Sequence, residues 1–463
     1  MAKLGCMQNL WIVLLSGGSG ERLWPLSNGV RAKQFLKLLK APDGQYESMC
    51  QRVVRQLRAA GISENLTVAT SALQRDSIIS QIGENINIVD EPERRDTFPA
   101  IALASSFLLD RGGAKSEDSV IVMPIDPYTE SGYFESLLQM SELVQNKVAN
   151  IVLMGIIPSE PSSKFGYIVP EAGQNAGCGG SVHVGHFCEK PDSEKAKQLI
   201  EEGALWNAGV FAFKLKYMLD VVQKYLGNVS FEYVRAHYRE LPKNSFDYEI
   251  LERETSISAV AFDGEWKDLG TWNSLSEEIG EASIGRVVLE NSQNTNVINE
   301  LDVPVVCAGL KDTVVAASPD GIFVGNKSES VNLKEYVRKI KLRPMFEERR
   351  WGEYKVLSFE TFSDGHKVLT KQLTFKDGGQ IDAHLHRNRE EIWTVVNGTG
   401  RVVLDGEEHL VKTGDSVKIP EGKMHSIKAI RELKVIEIQT GQSTDSEDIE
   451  RFPKQVVRTR WWR

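Results

Sequence analysis

Two stretches of the chain carry polar residues at spacings that suit phosphate and metal chemistry. The first follows the apolar run Trp11 to Leu15 and reads Ser16-Gly17-Gly18-Ser19-Gly20-Glu21-Arg22-Leu23-Trp24-Pro25, with Lys33 further along. A glycine cluster after a buried strand lets backbone N–H groups approach a phosphate closely, because no Cβ intervenes. Gly17, Gly18 and Gly20 are the candidates for that cradle, and Arg22 and Lys33 bring charge against a polyphosphate. The GK[ST] ending of a Walker A loop is absent. The second stretch holds His384-Leu385-His386. Two residues apart on a strand, these imidazoles project to one face.

Elements of two kinds must position these groups. Over residues 8–280, short apolar runs (WIVLL, LTVAT, SVIVMP, NIVLMG) alternate with longer stretches of helical spacing such as 45–60 and 97–110. Runs of strand length that are apolar throughout suit strands covered on both faces of a parallel sheet, so this part predicts one doubly wound, Rossmann-like α/β domain. Between 285 and 342 short runs separated by Asp, Gly and Pro predict a β-rich linker or partial solenoid, serving as a spacer or a dimer contact. Residues 343–463 read as strands and tight turns, with Asp405-Gly406 between alternating runs as a two-residue hairpin. That pattern predicts a C-terminal β-barrel or double-sheet jelly roll, and the aromatics of the RTRWWR tail would pack on it or face a partner.

Composition narrows the function classes. With 463 residues, 41% apolar and 26% charged, the chain is an ordinary globular protein rather than a disordered or collagen-like one. Its 55 basic and 64 acidic residues argue against a nucleic-acid footprint, while leaving room for local phosphate pockets. Five scattered cysteines (Cys6, Cys50, Cys178, Cys188, Cys307) without CxxC spacing point to a reducing compartment. The early apolar run falls far short of the roughly 20 residues that span a bilayer, and residues 1–9 lack a signal-peptide layout. The expectation is a cytoplasmic protein without a membrane partner.

The longer string SGGSGERLWPLS, followed by AKQF at 32–35, resembles the signature of sugar-phosphate nucleotidyltransferases, and among them the mannose-1-phosphate guanylyltransferases, whose usual form ends in PKQF; Ala32 stands where they carry proline. EPERRDTFPAIALA at 91–104 resembles a segment that in relatives opens a helix beside the nucleotide base, with Arg95 and Thr97 retained and Asp96 where asparagine is usual. GIIPSEPSSKFGYI (155–168), FCEKPD (187–192), WNAGVFAF (206–213), SFDYEILE (245–252) and WKDLGTW (266–272) follow in family order. The resemblance implies attack of a sugar 1-phosphate on the α-phosphorus of GTP. Arg22 and Lys33 would stabilise the triphosphate, and Asp126 and Asp268 would hold Mg²⁺. Glu189 and Asn207 would bind the sugar, Lys190 its phosphate, with Gly166 in the loop near it. Relatives read PADH around the metal aspartate, whereas this chain reads PIDP, with Pro127 in place of histidine.

Further on, Gly378, five residues, His384-x-His386, four residues, Glu391, six residues, Gly398 matches the first cupin motif. Gly414, five residues, Pro420-x-Gly422, two residues, His425 matches the second. His384, His386, Glu391 and His425 would form a three-histidine, one-carboxylate site for a divalent transition metal (Zn, Mn, Co or Ni). The segment from His386 to Thr399 resembles the barrel of type II mannose-6-phosphate isomerases, with two extra residues before Glu391 and Ile392 where histidine is usual; RRWGEY at 349–354 is similar to that domain's opening, with Arg350 for proline. Aldose–ketose isomerisation also needs an acid/base, and no residue here is assigned to it. The expectation is a homo-oligomeric, dimeric guanylyltransferase, bifunctional with the isomerase, that supplies nucleotide sugar for polysaccharide biosynthesis. The alternative is a nucleotidyltransferase for another sugar phosphate or nucleotide, with a non-catalytic, metal- or sugar-binding regulatory barrel.

Overall fold

The computed structural model describes residues 9–18, 21–174, 177, 179–340, 343–445 and 448–452. Cys6, Gly20, Cys178 and the RTRWWR tail lie outside the described residues. The chain divides into two compact units, Met1–Gly20 with Ala32–Gly280, and Glu21–Arg31 with Glu281–Arg463. Among the described residues, no helix is long and apolar enough to cross a membrane.

The first unit is built on a nine-stranded sheet: β1 (Leu10–Ser16), β2 (Leu66–Ser71), β3 (Asn87–Glu91), β4 (Ser119–Pro124), β5 (Ile151–Ile156), β6 (Tyr167–Pro170), β7 (Ser181–Cys188), β8 (Leu205–Lys214) and β9 (Ile257–Phe262). Their order is β3-β2-β1-β4-β8-β5-β9-β7-β6. Successive residues of one strand feed opposite cores, as the two-residue side-chain period requires. Ile12, Leu14, Ile121 and Met123 pack with Val53, Leu57, Leu137 and Met140 of helices α1 (Met49–Ala59) and α2 (Ser131–Gln145). Trp11, Val13, Val120 and Val122 pack on the other face with Ile101, Leu103 and Met218. Covered on both sides, β1 and β5 could be apolar throughout.

The expected parallel sheet is only partly parallel. β3, β2, β1 and β4 run parallel, and β9 runs parallel to β5. β8 lies antiparallel between β4 and β5, and β7 is antiparallel to both β9 and β6. A strand covered on both faces has the same apolar texture in either direction, so its direction is set by which connections close the sheet. The strand order reverses between β1 and β4, the place where open α/β sheets form a crevice at the carboxyl ends of their strands.

In the second unit, Val287–Glu290 stacks parallel on Val305–Ala308, and Asn296–Asn299 on Thr313–Ser318, as coils of a short solenoid that Gly321–Asn326 closes antiparallel. Glu21–Arg31 clusters here. Arg31 makes a bidentate pair with Glu300 at 2.7 and 2.9 Å, Asn28 donates to Asp320 at 2.6 Å, and the Ser318 hydroxyl donates to the Pro25 carbonyl at 2.7 Å. The remainder forms two antiparallel sheets of six and five strands around Phe375, Trp393, Val402 and Ile427. The Asp405-Gly406 turn has φ of 49° and 89°, the left-handed pair that a two-residue hairpin needs.

Candidate active site and metal centre

The lysine that follows the glycine loop sits in a short 3-10 turn, Lys33–Phe35, behind a buried Ala32 with φ of −73°. That angle is the one proline would impose, so the backbone holds it here without the ring. Lys33 Nζ lies 2.8 Å from Asp126 Oδ2 and 2.8 Å from Asp268 Oδ1. Burial opposes its charge, but Asp126 and Asp268 outweigh burial and raise its pKa above the usual lysine value. Asp126 follows β4, and Asp268 ends Trp266–Asp268, which pairs with Pro127–Thr129. Pro127, where relatives have histidine, is the residue opposite Asp268 in that ladder. Two hard carboxylates converging on one cationic point are a donor set that fits Mg²⁺.

These three groups open onto a cleft of about 320 Å³ whose lining includes Gly166, Glu189, Lys190, Asn207, Asp247 and Trp266. Gly166 has no room for a side chain: a Cβ there would lie 2.5 Å from Glu189 Oε2 and 2.6 Å from the Phe187 ring. The Asn207 backbone N–H donates to the Gly166 carbonyl at 2.8 Å, its Oδ1 accepts from the Gly209 N–H at 3.0 Å, and its Nδ2 donates to Asp247 Oδ1 at 2.7 Å. Glu189 is paired with Lys190, which holds a positive φ of 42°. Burial first, and then the neighbouring Glu189, push the Asp247 carboxyl up to about 6.

Seven of the residues singled out in the sequence thus share one cleft: Lys33, Asp126, Asp268, Gly166, Glu189, Lys190 and Asn207. The others lie elsewhere. Gly17 and Gly18 are exposed at the end of β1, with Gln74 donating to the Gly18 carbonyl at 2.9 Å. Arg22 is exposed on the segment that clusters with the second unit. Arg95 and Thr97 are held by structural partners: Arg95 donates to Glu93 at 2.8 Å and to the Leu241 carbonyl at 2.9 Å, and the Thr97 hydroxyl accepts from the Phe246 N–H at 2.8 Å. Asp247 and Lys164 were missed by sequence reasoning, since a single polar residue inside a matching segment has no spacing to mark it.

In the second unit, His384 on β10 (Gln380–Leu385) lies opposite His425, the first residue of the strand His425–Ala429. His386 follows β10 directly, and Glu391 lies on the strand Arg389–Asn397. Each imidazole is oriented from behind: Nδ1 of His384, His386 and His425 lies 2.8, 3.0 and 2.8 Å from the carbonyls of Asp382, Asp448 and Lys423. A carbonyl only accepts, so each Nδ1 carries the proton of that bond and Nε2 is left as the ligand atom. One ligand atom from each histidine falls within 4.8 Å of the others, and the buried His425 Nε2 has no hydrogen-bond partner. Burial and then the neighbouring His425 push His384 down to about 3, which keeps it neutral. Three converging imidazoles, one of them with an orphaned nitrogen, fit a divalent transition metal.

Glu391 completes the set but is heavily engaged. It lies 2.9 Å from His386 Nε2 and accepts from Gln439 at 2.9 Å, Trp393 at 3.1 Å and Arg389 at 3.2 Å. Burial would raise its pKa, but the imidazoles of His386 and His425 hold it well below the usual carboxylate range. Arg389, from the stretch with two extra residues, is itself buried and also reaches His386 Nε2 at 3.4 Å.

Residues 12–282 match the family described as Nucleotidyl transferase. The chain belongs to that family. Residues 341–454 match the family described as Mannose-6-phosphate isomerase C-terminal. Among curated relatives, the chain is 28% identical to a mannose-1-phosphate guanylyltransferase of Klebsiella pneumoniae, over 96% of this chain and 99% of that one. It is 29% identical to the xanthan biosynthesis protein XanB of Xanthomonas campestris pv. campestris, over 98% and 100%. The crystal structure of a mannose-1-phosphate geranyltransferase from Thermus thermophilus is similar at 27% identity and a TM-score of 0.60, over 72% of this chain and 99% of that one.

Proposed function

We propose that this chain is a mannose-1-phosphate guanylyltransferase: GTP and mannose 1-phosphate react to give GDP-mannose and pyrophosphate for polysaccharide synthesis. The observation that carries the reading is the single cleft in which Lys33, Asp126 and Asp268 share a lining with Gly166, Glu189, Lys190 and Asn207. An oxygen of the sugar phosphate attacks the α-phosphorus, the bond to the β-phosphate oxygen breaks, and pyrophosphate leaves. Such a transfer needs neutralised charge and in-line alignment rather than a covalent intermediate.

Lys33 offsets charge on the α-phosphate, while the backbone N–H groups of Gly17 and Gly18, at the end of β1, receive the triphosphate. Asp126 and Asp268 would hold Mg²⁺, which when bound supplies Lewis-acid stabilisation of both phosphates. Glu189 and Asn207 bind sugar hydroxyls, Lys190 meets the sugar phosphate, and Arg95 and Thr97 serve the nucleotide. Pyrophosphate release, measured across a panel of nucleotides and sugar 1-phosphates, tests the reading. Highest kcat/KM for GTP with mannose 1-phosphate is expected, and a clear preference for another pair would replace it with a nucleotidyltransferase of different specificity.

For the barrel we propose a divalent transition metal, Zn, Mn, Co or Ni, held by His384, His386, His425 and Glu391, and isomerisation of mannose 6-phosphate and fructose 6-phosphate. The Arg389 guanidinium beside Glu391 and His386 favours a second reading, a metal- or sugar-binding regulatory module, because a fixed cation opposes a metal at close range. Fructose 6-phosphate formation by metal-replete protein decides between them. We further propose that the protein acts as a cytoplasmic dimer, which a sedimentation measurement checks.

A further inference from the structure

Asp247 is out of place for a structural residue. It opens one tight helical turn, Asp247–Leu251, and lines the cleft beside Glu189, Lys190 and Asn207. Keeping a carboxyl partly out of water next to another carboxylate is costly unless donors arrive to meet it. Among the described side chains, one donor does: Asn207 Nδ2, 2.7 Å from Oδ1. Asn207 cannot turn its amide over, because its Oδ1 is held by the Gly209 N–H at 3.0 Å. The second Nδ2 hydrogen of Asn207 and the second oxygen of Asp247 are therefore a donor and an acceptor side by side on the cleft wall.

The turn itself is anchored from behind. The Phe246 N–H is held by the Thr97 hydroxyl at 2.8 Å, the Asn244 carbonyl accepts from the Phe98 N–H at 3.2 Å, and the Phe246 ring is fully buried. Asp247 is thus preorganised. Lys190 pairs with Glu189, and beside that pair a sugar hydroxyl, which donates and accepts at once, matches a carboxylate oxygen next to an amide N–H.

We propose that Asp247 is a specificity-determining residue of the transferase cleft: it accepts a hydrogen bond from one ring hydroxyl of the sugar 1-phosphate and fixes the Asn207 amide that donates beside it. The inference rests on the sugar-phosphate reading above and names a hydroxyl acceptor that reading does not include. The raised pKa of the free carboxyl accords with a group whose full set of donors is completed by the sugar.

Two variants and a set of monodeoxy mannose 1-phosphates separate this role from bracing alone. Asp247→Asn keeps a carbonyl oxygen for Asn207 Nδ2 but replaces the second oxygen with a donor, whereas Asp247→Ala removes both. The expected result is a rise of about 10- to 100-fold in KM for mannose 1-phosphate in Asp247→Asn, with KM for GTP unchanged within about twofold. The wild type should lose affinity for one monodeoxy analogue in particular, and with that analogue the Asn variant should match the wild type. A normal Asp247→Asn beside an impaired Asp247→Ala would reduce the residue to a brace and overturn the proposal. So would a wild type that binds every deoxy analogue equally, a result that does not depend on any variant folding. A wild type inert toward mannose 1-phosphate sinks the substrate reading instead, and the same comparison is then made with the sugar 1-phosphate it accepts.

Discussion

Lys33 holds the position where three charges meet, and each can be removed separately. Asp126→Asn or Asp268→Asn keeps the shape of the site and deletes one negative charge from the set that would hold Mg²⁺. Either change should lower kcat for pyrophosphate release by about 10²- to 10³-fold or more at saturating Mg²⁺, and near-normal turnover would remove that residue from the site. Lys33→Ala should cut turnover comparably while the thermal midpoint shifts by only a few degrees, on the order of 1 kcal/mol, because the side chain is partly solvated and leaves no cavity. An unfolded Lys33→Ala protein would make the lysine a structural residue.

Asp247 also gives a pH signature at this scale. Its folded pKa of about 6 lies above the ordinary aspartate value of 3.8, so the fold favours the protonated form. Its contribution to stability is complete below the lower value and is lost as pH rises through the higher one. Urea unfolding between about pH 4 and 7 should show the wild type losing stability relative to Asp247→Asn as pH increases. A difference between the two that stays flat with pH would show that the carboxyl titrates normally.

At the scale of elements, the loop from β5 into β6 shapes the cleft through a glycine that has no room for a side chain. Gly166→Ala should weaken sugar 1-phosphate binding by about tenfold or more and destabilise the unit by about 1–3 kcal/mol, since the new methyl must displace Glu189 or the Phe187 ring. Initial rates at varied sugar 1-phosphate, beside a denaturant melt, check both parts. The same scale shows what a pattern can encode. The helix at 49–59 was legible from the helical spacing over 45–60, and the structure starts it at Ser48, which forms a capping box with Gln51. β8 was legible as an apolar run but not as an antiparallel strand, because its partners β4 and β5 lie far away in the sequence.

For the whole molecule, the Lys33 cleft belongs to the first unit and the histidine cluster to the second, each built from its own side chains. Purified protein should hold about one transition metal per chain. The double change His384→Ala, His386→Ala should abolish that metal while pyrophosphate release persists. Elemental analysis and the release assay read the two outcomes separately, and absence of metal under every loading condition would overturn the barrel site. Chelation should also lower the melting temperature of the wild type and leave that of the double variant unchanged, because metal bound only to the folded state stabilises it by mass action.

By itself the sequence determined the apolar strands, the glycine-to-lysine stretch, the Asp405-Gly406 hairpin and the His384–His386 spacing. Each follows from rules that act over a few neighbouring residues: periodicity, turn conformation and the two-residue period of a strand. Tertiary structure decided the rest. It set the direction of β8, gathered Glu21–Arg31 with the second unit, tied the Thr97 hydroxyl to the Phe246 N–H, and placed Arg389 against Glu391 and His386. These are contacts between a polar atom and whichever partner the folded chain brings within hydrogen-bonding reach. Burial makes such pairings obligatory without encoding locally which partner satisfies them.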